Sequence, residues 1–404
     1  MNLPTALRSI PRPAATGLRT ESPLRTDRMA AVLGIALGVT FTICFVTGII
    51  SHLIQDPPSW FLWPTRPVNG YRITQGLHVA TGMATIPLLL AKLWVVLPKL
   101  FRWPPARGVS DAASRVSDGI LVGGGLFLVF SGTANLARWR PWGFGFTSGH
   151  FWSALLAYGA LLVHVAYRGA TTRRELRRAP APGTTDPTEA PEVVASPSPA
   201  RHALTRRGFI TAVGLASAAV TVTTVGQTLP LLRRLNLLGP RRPEVGVQGL
   251  PVNQTADGAG VLDQVESDAA VADYRLTVTG RVETELELTL DDLRAMPQVT
   301  EELPIACVEG WSASARWSGV QVRELLARAG APDDSEVLVV SLEETALYST
   351  SMLNRLQAAD ELTLLALDID GEPLHVDHGR PVRLIGANRP GVQQTKWVTR
   401  LEVR

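Results

Sequence analysis

Two cysteines and seven histidines supply most of the soft and borderline metal ligands in this 404-residue chain, and their placement is uneven. Cys307 stands alone in the C-terminal half, so no disulfide can close within that half. In an oxidising compartment such a thiol must be buried or bound to a metal, and a thiolate suits a soft one. Cys44 sits in an apolar run and reads as a small packing residue. Four of the histidines, His52, His78, His150 and His164, lie in or beside long apolar runs. An imidazole there needs a partner, and a functional role is the default reading. His150 and His164 are 14 positions apart. On a helix that is just under four turns, about 21 Å along the axis, so they share a face.

These residues ride on two halves of opposite character. Residues 1–207 hold 22 Lys and Arg against 9 Asp and Glu, while the remainder holds 17 against 27. The net charge of +3 therefore conceals +13 and −10. A hydrophobic content of 46% with only 19% charged residues argues against a disordered chain. Five nearly uncharged runs, 29–55, 73–97 (with Lys92 inside), 119–137, 147–167 and 208–232, have the length of transmembrane helices. Segments 1–28, 98–117 and 168–207 carry 5, 4 and 8 basic residues, against 2 each in 56–72 and 138–146. Positive-inside then puts the N-terminus in the cytoplasm and, after five crossings, the acidic half outside. Trp60, Trp63, Trp139 and Trp142 in the outer loops fit an interfacial aromatic belt.

The expected organisation follows from that topology. A cytoplasmic tail at 1–28 precedes a four-helix transmembrane domain at 29–168. A disordered cytoplasmic linker, rich in Pro, Ala and Thr, covers 169–205. A fifth, anchoring helix follows at 206–232, then an extended linker at 233–267 and a mixed α+β domain at 268–404. The protein is expected in the plasma membrane with its C-terminal domain on the extracytoplasmic side. Thr205-Arg206-Arg207-Gly208-Phe209-Ile210 resembles the twin-arginine export signal, which serves proteins that fold with a cofactor before crossing. No small-x-small cleavage site follows it, so the helix is expected to remain as an anchor.

The His-x13-His spacing resembles the di-haem cytochrome b subunits of respiratory oxidoreductases. A haem b takes two axial ligands from facing helices. Resemblance and topology together imply one outer haem b with iron ligands His78 and His150, and His52 in reserve. His164 lies deeper and lacks a facing His, because Lys92 occupies the position 14 after His78. The structural alternative has these imidazoles hydrogen-bonding Ser or Thr across helices.

From Tyr274 the pattern shortens. Runs 274–280, 285–290 and 336–342 alternate as strands, and 290–295 and 320–329 read as helices. Cys307 stands in Pro304-Ile305-Ala306-Cys307-Val308-Glu309-Gly310-Trp311-Ser312. Before it come Tyr274-x-Leu276-x-Val278-x-Gly280 and Leu290-Asp291-Asp292-Leu293; after it comes Trp317-x-Gly319-Val320. Asp370-Gly371-Glu372-Pro373-Leu374 and His378-Gly379-x-Pro381-Val382-Arg383-Leu384 complete the series. In this order the blocks resemble the sulfite oxidase-like molybdopterin fold. Within it they resemble the branch of bacterial periplasmic methionine sulfoxide reductase catalytic subunits. The resemblance implies molybdenum held by two dithiolene sulfurs, oxo groups and the catalytic thiolate of Cys307. It further implies pterin contacts at Asn253, His378, Arg383, the Gln394-Thr395 backbone and Lys396, whose donors suit a phosphate.

Sulfite oxidases place a basic pair shortly after the Cys, where this chain has Val308-Glu309-Gly310-Trp311. A dianion is disfavoured beside Glu309 unless Arg316 or Arg389 reaches in, so a neutral or zwitterionic sulfoxide suits the site better. The expectation is a membrane-bound molybdenum-molybdopterin oxidoreductase fused to haem-bearing helices. Electrons would pass from quinone or another membrane donor to a sulfoxide-type substrate, with molybdenum cycling between +6 and +4 as one oxygen atom transfers. A sulfite or sulfur-oxyanion dehydrogenase feeding the membrane is one alternative. A cofactor-free, membrane-anchored binding protein is another. No Gly-rich dinucleotide fingerprint is evident, which argues against a hydride donor, and no nucleic-acid partner is expected.

Overall fold

The computed structural model describes residues 22–101, 108–139, 143–177, 204–226, 230–239, 241, 246–344 and 349–404. Most of the expected N-terminal tail, Arg140, Trp142 and 178–203 of the expected linker lie outside the described residues. Five long helices are α1 (Asp27–Gln55), α2 (Gly70–Leu100), α3 (Val109–Leu136), α4 (Phe146–Arg177) and α5 (Arg206–Val225). All five are long and apolar enough to cross a membrane. Several bounds differ from the sequence reading: α3 begins at Val109, ten residues before 119, and α2 extends three residues beyond 73–97 at each end. Helix α4 continues past 167 to Arg177, because 168–177 contains no Pro and ends in Arg173-Arg174-Glu175-Leu176-Arg177, all good helix formers. Helix α5 stops at Val225, well short of 232, and a 3-10 turn follows at Pro230–Leu235. Pro230 has no backbone N–H with which to continue α-helical hydrogen bonding.

Contacts divide the described residues into two units. The second takes in Val46–Ala80, Asn135–Trp139 and Val222–Arg404, and the first takes in the remainder of the long helices. In the first unit, small residues let α3 and α4 approach closely. A Cβ on Gly124 would lie 3.0 Å from the Ala157 Cβ, and Ser117 Oγ donates to the Ala160 carbonyl at 3.0 Å. That is how helices pack where lipid gives no hydrophobic drive between them. Leu33, Leu88, Val95 and Val213 form a small buried core. Ile35, Val39, Leu90, Leu126, Leu156 and Leu215 are exposed, as a lipid-facing surface requires.

The second unit holds the mixed α+β domain. After the short helices α6 (Leu262–Val265) and α7 (Asp268–Val271) come two sheets. The first contains β1 (Arg275–Gly280), β2 (Leu286–Thr289), β5 (Val337–Ser341), β6 (Thr350–Leu353) and β10 (Val398–Val403), ordered β2-β1-β10-β5-β6. Its one parallel pair is β1 with β10, in register from Thr277 opposite Arg400 to Gly280 opposite Val403. The second is antiparallel, ordered β3-β4-β7-β8 from β3 (Val299–Ala306), β4 (Ser312–Gln321), β7 (Leu364–Ile369) and β8 (Glu372–Pro373). In it β9 (Arg383–Ile385) also pairs with β7.

Local chemistry explains the elements. Leu276 and Val278 alternate with half-exposed Thr in β1, and Val337 and Val339 do the same in β5. Helix α8 (Leu290–Ala295) begins with a capping box. The Thr289 hydroxyl accepts from the Asp292 N–H at 3.0 Å while the Asp292 carboxylate accepts from the Thr289 N–H at 2.9 Å. The Thr289 hydroxyl, donating to the same carboxylate at 2.6 Å, and then the Thr289 N–H hold the Asp292 carboxyl below its usual range. Helix α9 (Val322–Ala329) turns its apolar face, Val322, Leu325, Leu326 and Ala329, into the core and ends at Gly330 with φ 67°. The remaining short helix, α10 (Arg355–Ala358), is capped by Asn354. Leu276, Val278, Leu293, Leu325, Val339 and Leu401 share one core, and Leu303, Trp317, Leu364 and Ile385 share a second with Cys307.

Leu293 on α8 is fully buried in the first of these cores. Leu293→Ala is expected to cost about 2–5 kcal/mol, read as a lowered urea midpoint for loss of the β-sheet signal in the full-length protein. A midpoint unchanged within error contradicts that core assignment.

Candidate active site

Strand β3 delivers Cys307 and β4 leads away, so the thiol sits in the turn joining the two longest strands of its sheet. The turn is closed by the Cys307 N–H donating to the Trp311 carbonyl at 2.9 Å and the Gly310 N–H donating to the Cys307 carbonyl at 3.1 Å. Gly310 takes φ 84°, and a Cβ there would also come 3.0 Å from Val79 Cγ1 on α2. Only glycine meets both conditions without strain. Burial, reinforced by the Glu309 carboxylate, pushes the Cys307 thiol up to about 12. An apo site would therefore hold a neutral thiol, and metal binding would displace its proton.

Cys307 opens into a recess of about 230 Å³, counting its open mouth, lined by Pro251, Asn253, Ile305, Trp311, Arg383 and Gly391. Arg383, from β9, is 3% exposed and has no carboxylate at ion-pair distance among the described residues. One guanidinium N–H donates to the His378 carbonyl at 3.2 Å, the group lies 5.3 Å from the Trp317 ring centre, and its buried Nε has no hydrogen-bond partner. Burial pulls this guanidinium down to about 9. A buried cation with an orphaned donor beside a thiol is a site built for an anion, so the residues present fit a pterin phosphate.

The surrounding residues support Arg383 without lining the recess. Gly379, with φ 106°, lets the chain pass closely, since a Cβ there would lie 3.1 Å from both the Arg383 Cβ and the Lys396 Cα. Lys396 donates to the Gln254 and Asp377 carbonyls, each at 2.7 Å. Burial and then the Arg383 charge hold its ammonium well below the usual range, despite Asp377 and Glu343 nearby. His378 is buried with Nε2 2.7 Å from the Val247 carbonyl, and burial pulls its imidazole down to about 4, so it is neutral and donates there. The Gln394 amide is spent on both polar groups of the Gly386 backbone, and Thr395 Oγ1 lies 2.6 Å from Ser351 Oγ. Their side chains therefore face away from the recess.

Neither cation considered from sequence reaches Glu309. Arg316 is exposed and pairs with Asp370, and Arg389 is buried against the Met352 and Gln393 carbonyls and the Gln357 amide oxygen. Two other arginines take the place. Arg241 Nε lies 3.0 Å from Glu309 Oε2 and Arg138 Nε 3.5 Å from Oε1, while Trp311 Nε1 donates to Oε2 at 3.1 Å. Arg241 also donates to the Asn253 carbonyl at 3.4 Å. The charges around Glu309 are thus net positive, which corrects the expectation that its carboxylate stands unanswered beside Cys307. No local motif marks Arg241 or Arg138, because each meets Glu309 only through long-range folding.

The membrane-segment histidines fall in both units. His78, in the second, packs against α1, where a Cβ on Gly48 would lie 2.9 Å from its Cε1. His52 lies in the last turn of α1. In the first unit His150 Nδ1 is 2.9 Å from Ser131 Oγ, and His164 Nδ1 is 2.6 Å from Asp118 Oδ1, which Arg168 also meets at 3.3 Å. His164, without a facing histidine, has a carboxylate partner on α3.

Residues 262–404 match the family model described as the oxidoreductase molybdopterin binding domain. This stretch is a sulfite oxidase-like molybdopterin domain. The chain is 33% identical over 141 residues to a protein-methionine-sulfoxide reductase subunit, YedZ1, of Azospira oryzae, covering 35% of this chain and 53% of that one. It is 29% identical over 156 residues to the mitochondrial sulfite oxidase of Drosophila melanogaster, covering 32% and 27%. It is 24% identical over 143 residues to the protein-methionine-sulfoxide reductase catalytic subunit MsrP of Campylobacter jejuni, covering 32% and 48%. The matches thus span from 27% to about half of these relatives' own lengths.

His378 makes stability depend on pH. Unfolded chains take up its proton near 6.5, whereas the folded site resists until about 4. Stability contributed by the neutral form is present above 6.5 and lost as pH falls towards 4, on the order of 3 kcal/mol in all. His378→Gln is expected to flatten the decline in urea midpoint between neutral pH and the lower end of that window. An unchanged decline contradicts the assignment.

Proposed function

We propose that this chain is a membrane-anchored molybdenum-molybdopterin oxidoreductase that reduces a sulfoxide-type substrate with electrons from its own helices. The observation that carries the reading is one recess holding a buried thiol, Cys307, and a buried guanidinium, Arg383, with an unpartnered Nε. In this reading the Cys307 thiolate holds the metal. Arg383 holds the pterin phosphate, Asn253 closes the recess, and Lys396 and His378 with the Gln394-Thr395 backbone fix Arg383. Molybdenum would supply two-electron redox chemistry with oxygen-atom transfer. The substrate balance is one sulfoxide, two electrons and two protons giving one sulfide and one water. Trp311 and Ile305 shield the recess, and the neutral His378 keeps a second positive charge away from Arg383.

The relatives bearing sulfoxide reductase names support that substrate class. One observation favours a second reading, oxidation of sulfite or a related oxyanion, which would return two electrons and two protons. Arg241 and Arg138 outweigh the single charge of Glu309, so the entrance tolerates an anion.

The donor side of the proposal is a quinol or similar membrane reductant passing electrons through a haem b on His78 and His150. A metal-bound imidazole characteristically has its other ring nitrogen hydrogen-bonded, and Ser131 supplies that bond at His150. The C-terminal end of α1 and the N-terminal end of α2 both pack with the α+β domain, supporting a domain carried on the side opposite the N-terminus. An extracytoplasmic location follows from the basic-residue bias together with the Arg206-Arg207 pair.

Protein purified from a pterin-synthesising host is expected to carry about one molybdenum per chain, with the content lowered and sulfoxide turnover lost in Cys307→Ser. Absence of molybdenum from the wild type contradicts the reading and favours a cofactor-free protein. Sulfoxide-dependent oxidation of the reduced protein, without sulfite-dependent reduction, is expected; the reverse pattern selects the second reading. A b-type Soret band that is lost in His78→Ala is the expected result for the haem, and no Soret band at all contradicts it.

A further inference from the structure

Asn388 is 2% exposed, has φ 57°, and commits every polar group it owns to one short stretch of chain. Its Oδ1 accepts from the Tyr71 N–H at 2.5 Å and its Nδ2 donates to the Pro64 carbonyl at 2.7 Å. Its own N–H donates to the Val68 carbonyl at 3.1 Å, and its carbonyl accepts from Trp63 Nε1 at 2.9 Å. Tyr71 is the second residue of α2, one of the first-turn positions whose N–H has no acceptor within the helix. Asn388 is therefore the N-cap acceptor of a membrane helix, supplied from more than three hundred positions away in the chain. Gly70 makes room for it, since a Cβ there would lie 2.7 Å from the Asn388 Oδ1. The left-handed backbone, unfavourable for most side chains, is tolerated by Asn, and four hydrogen bonds hold it.

Five residues later the same segment treats the opposite kind of helix end. Gln393 Nε2 donates to the Ile54 carbonyl at 3.2 Å and to the Gln55 carbonyl at 3.5 Å, the last carbonyls of α1. An acceptor thus meets a helix N-terminus and a donor meets a helix C-terminus, each with matching polarity. Between them Pro390 forms a parallel bridge with Ala306, beside Cys307, and Gly391 lines the recess. Arg72 adds bonds to Ser312 Oγ at 3.0 Å and Ser314 Oγ at 3.3 Å on β4.

We propose that segment 388–393 is the joint that fixes the α1 and α2 ends against the Cys307 turn, with Asn388 and Gln393 as positioning residues for electron delivery. The inference rests on the proposed function for what is delivered, but the joint itself stands on the geometry. A donor group held by α2 keeps a fixed distance from the recess only while both helix ends stay capped. Loosening Asn388 then slows delivery through the helices and leaves chemistry in the recess intact. Asn388→Asp keeps the acceptor for the Tyr71 N–H, where the helix N-terminus favours its charge, but exchanges the bond to Pro64 for a contact between two acceptor oxygens.

The test uses the full-length, molybdenum-loaded protein in lipid nanodiscs, comparing wild type, Asn388→Ala, Asn388→Asp and Gln393→Ala. One readout is hydrogen exchange at the start of α2; the other is sulfoxide turnover driven by a reduced viologen from solution or by a short-chain quinol. For Asn388→Ala, faster exchange at Tyr71 is expected, with viologen-driven kcat and KM within about twofold and quinol-driven kcat down about tenfold or more. Asn388→Asp should recover part of the quinol rate, and Gln393→Ala should show the same donor-selective loss. Unchanged exchange, or an equal fall with both donors, overturns the proposal. Should wild type turn over with neither donor, the functional reading fails, and the exchange result still decides whether the joint exists.

Discussion

Arg383 carries a positive charge into the interior of the C-terminal domain with no carboxylate opposite it among the described residues, and the architecture around the recess is arranged to keep it there. A guanidinium in that position costs several kcal/mol unless an anion completes it. Trp317 offers one ring face, the His378 carbonyl accepts one N–H, and Nε remains unanswered. Gly379 allows the close passage that brings Arg383 and Lys396 together, and His378 stays neutral so that no further charge accumulates. Cys307 shares the recess as a thiol whose ionisation burial opposes. An anionic, metal-bearing ligand would answer the Arg383 charge and could take the place of the Cys307 proton.

Much of this was legible in order along the chain. The alternation in 274–280 placed β1 to within one residue, and Thr289 with Asp292 marked the start of α8. Cys307 and Arg383, 76 positions apart, were assigned to one site by motif and share one recess. What stayed illegible depends on long-range packing. Gln394 and Thr395 follow the right motif, yet their side chains are consumed by Gly386 and Ser351. Glu309 looked like an acidic wall because nothing local shows that Arg241 and Arg138 converge on it. Asn388 is a plain polar residue in sequence and becomes a helix cap only when α2 is brought to it. The end of α4 was missed for a simpler reason: charged residues that leave a membrane can continue a helix.

The same distinction explains how two halves of opposite charge form one protein. Apolar runs specify helices individually, but small residues such as Gly124 and Ala157 decide how closely α3 and α4 approach. The helix ends then need partners for backbone groups that the helices cannot satisfy themselves. Segment 388–393 supplies an acceptor to one and a donor to the other, and it also forms part of the wall around Cys307. Helix termination and the recess wall thereby share one segment, through different residues of it: Asn388 and Gln393 meet the helix ends, and Gly391 lines the recess.

The central claim is that Cys307 is the protein's own ligand to a molybdenum held beside Arg383. X-ray absorption at the molybdenum edge measures the sulfur neighbours of that metal directly. The account requires the pterin's dithiolene sulfurs and one further sulfur in the wild type, with that further sulfur missing from whatever metal Cys307→Ser retains. An identical sulfur shell in both proteins would contradict it.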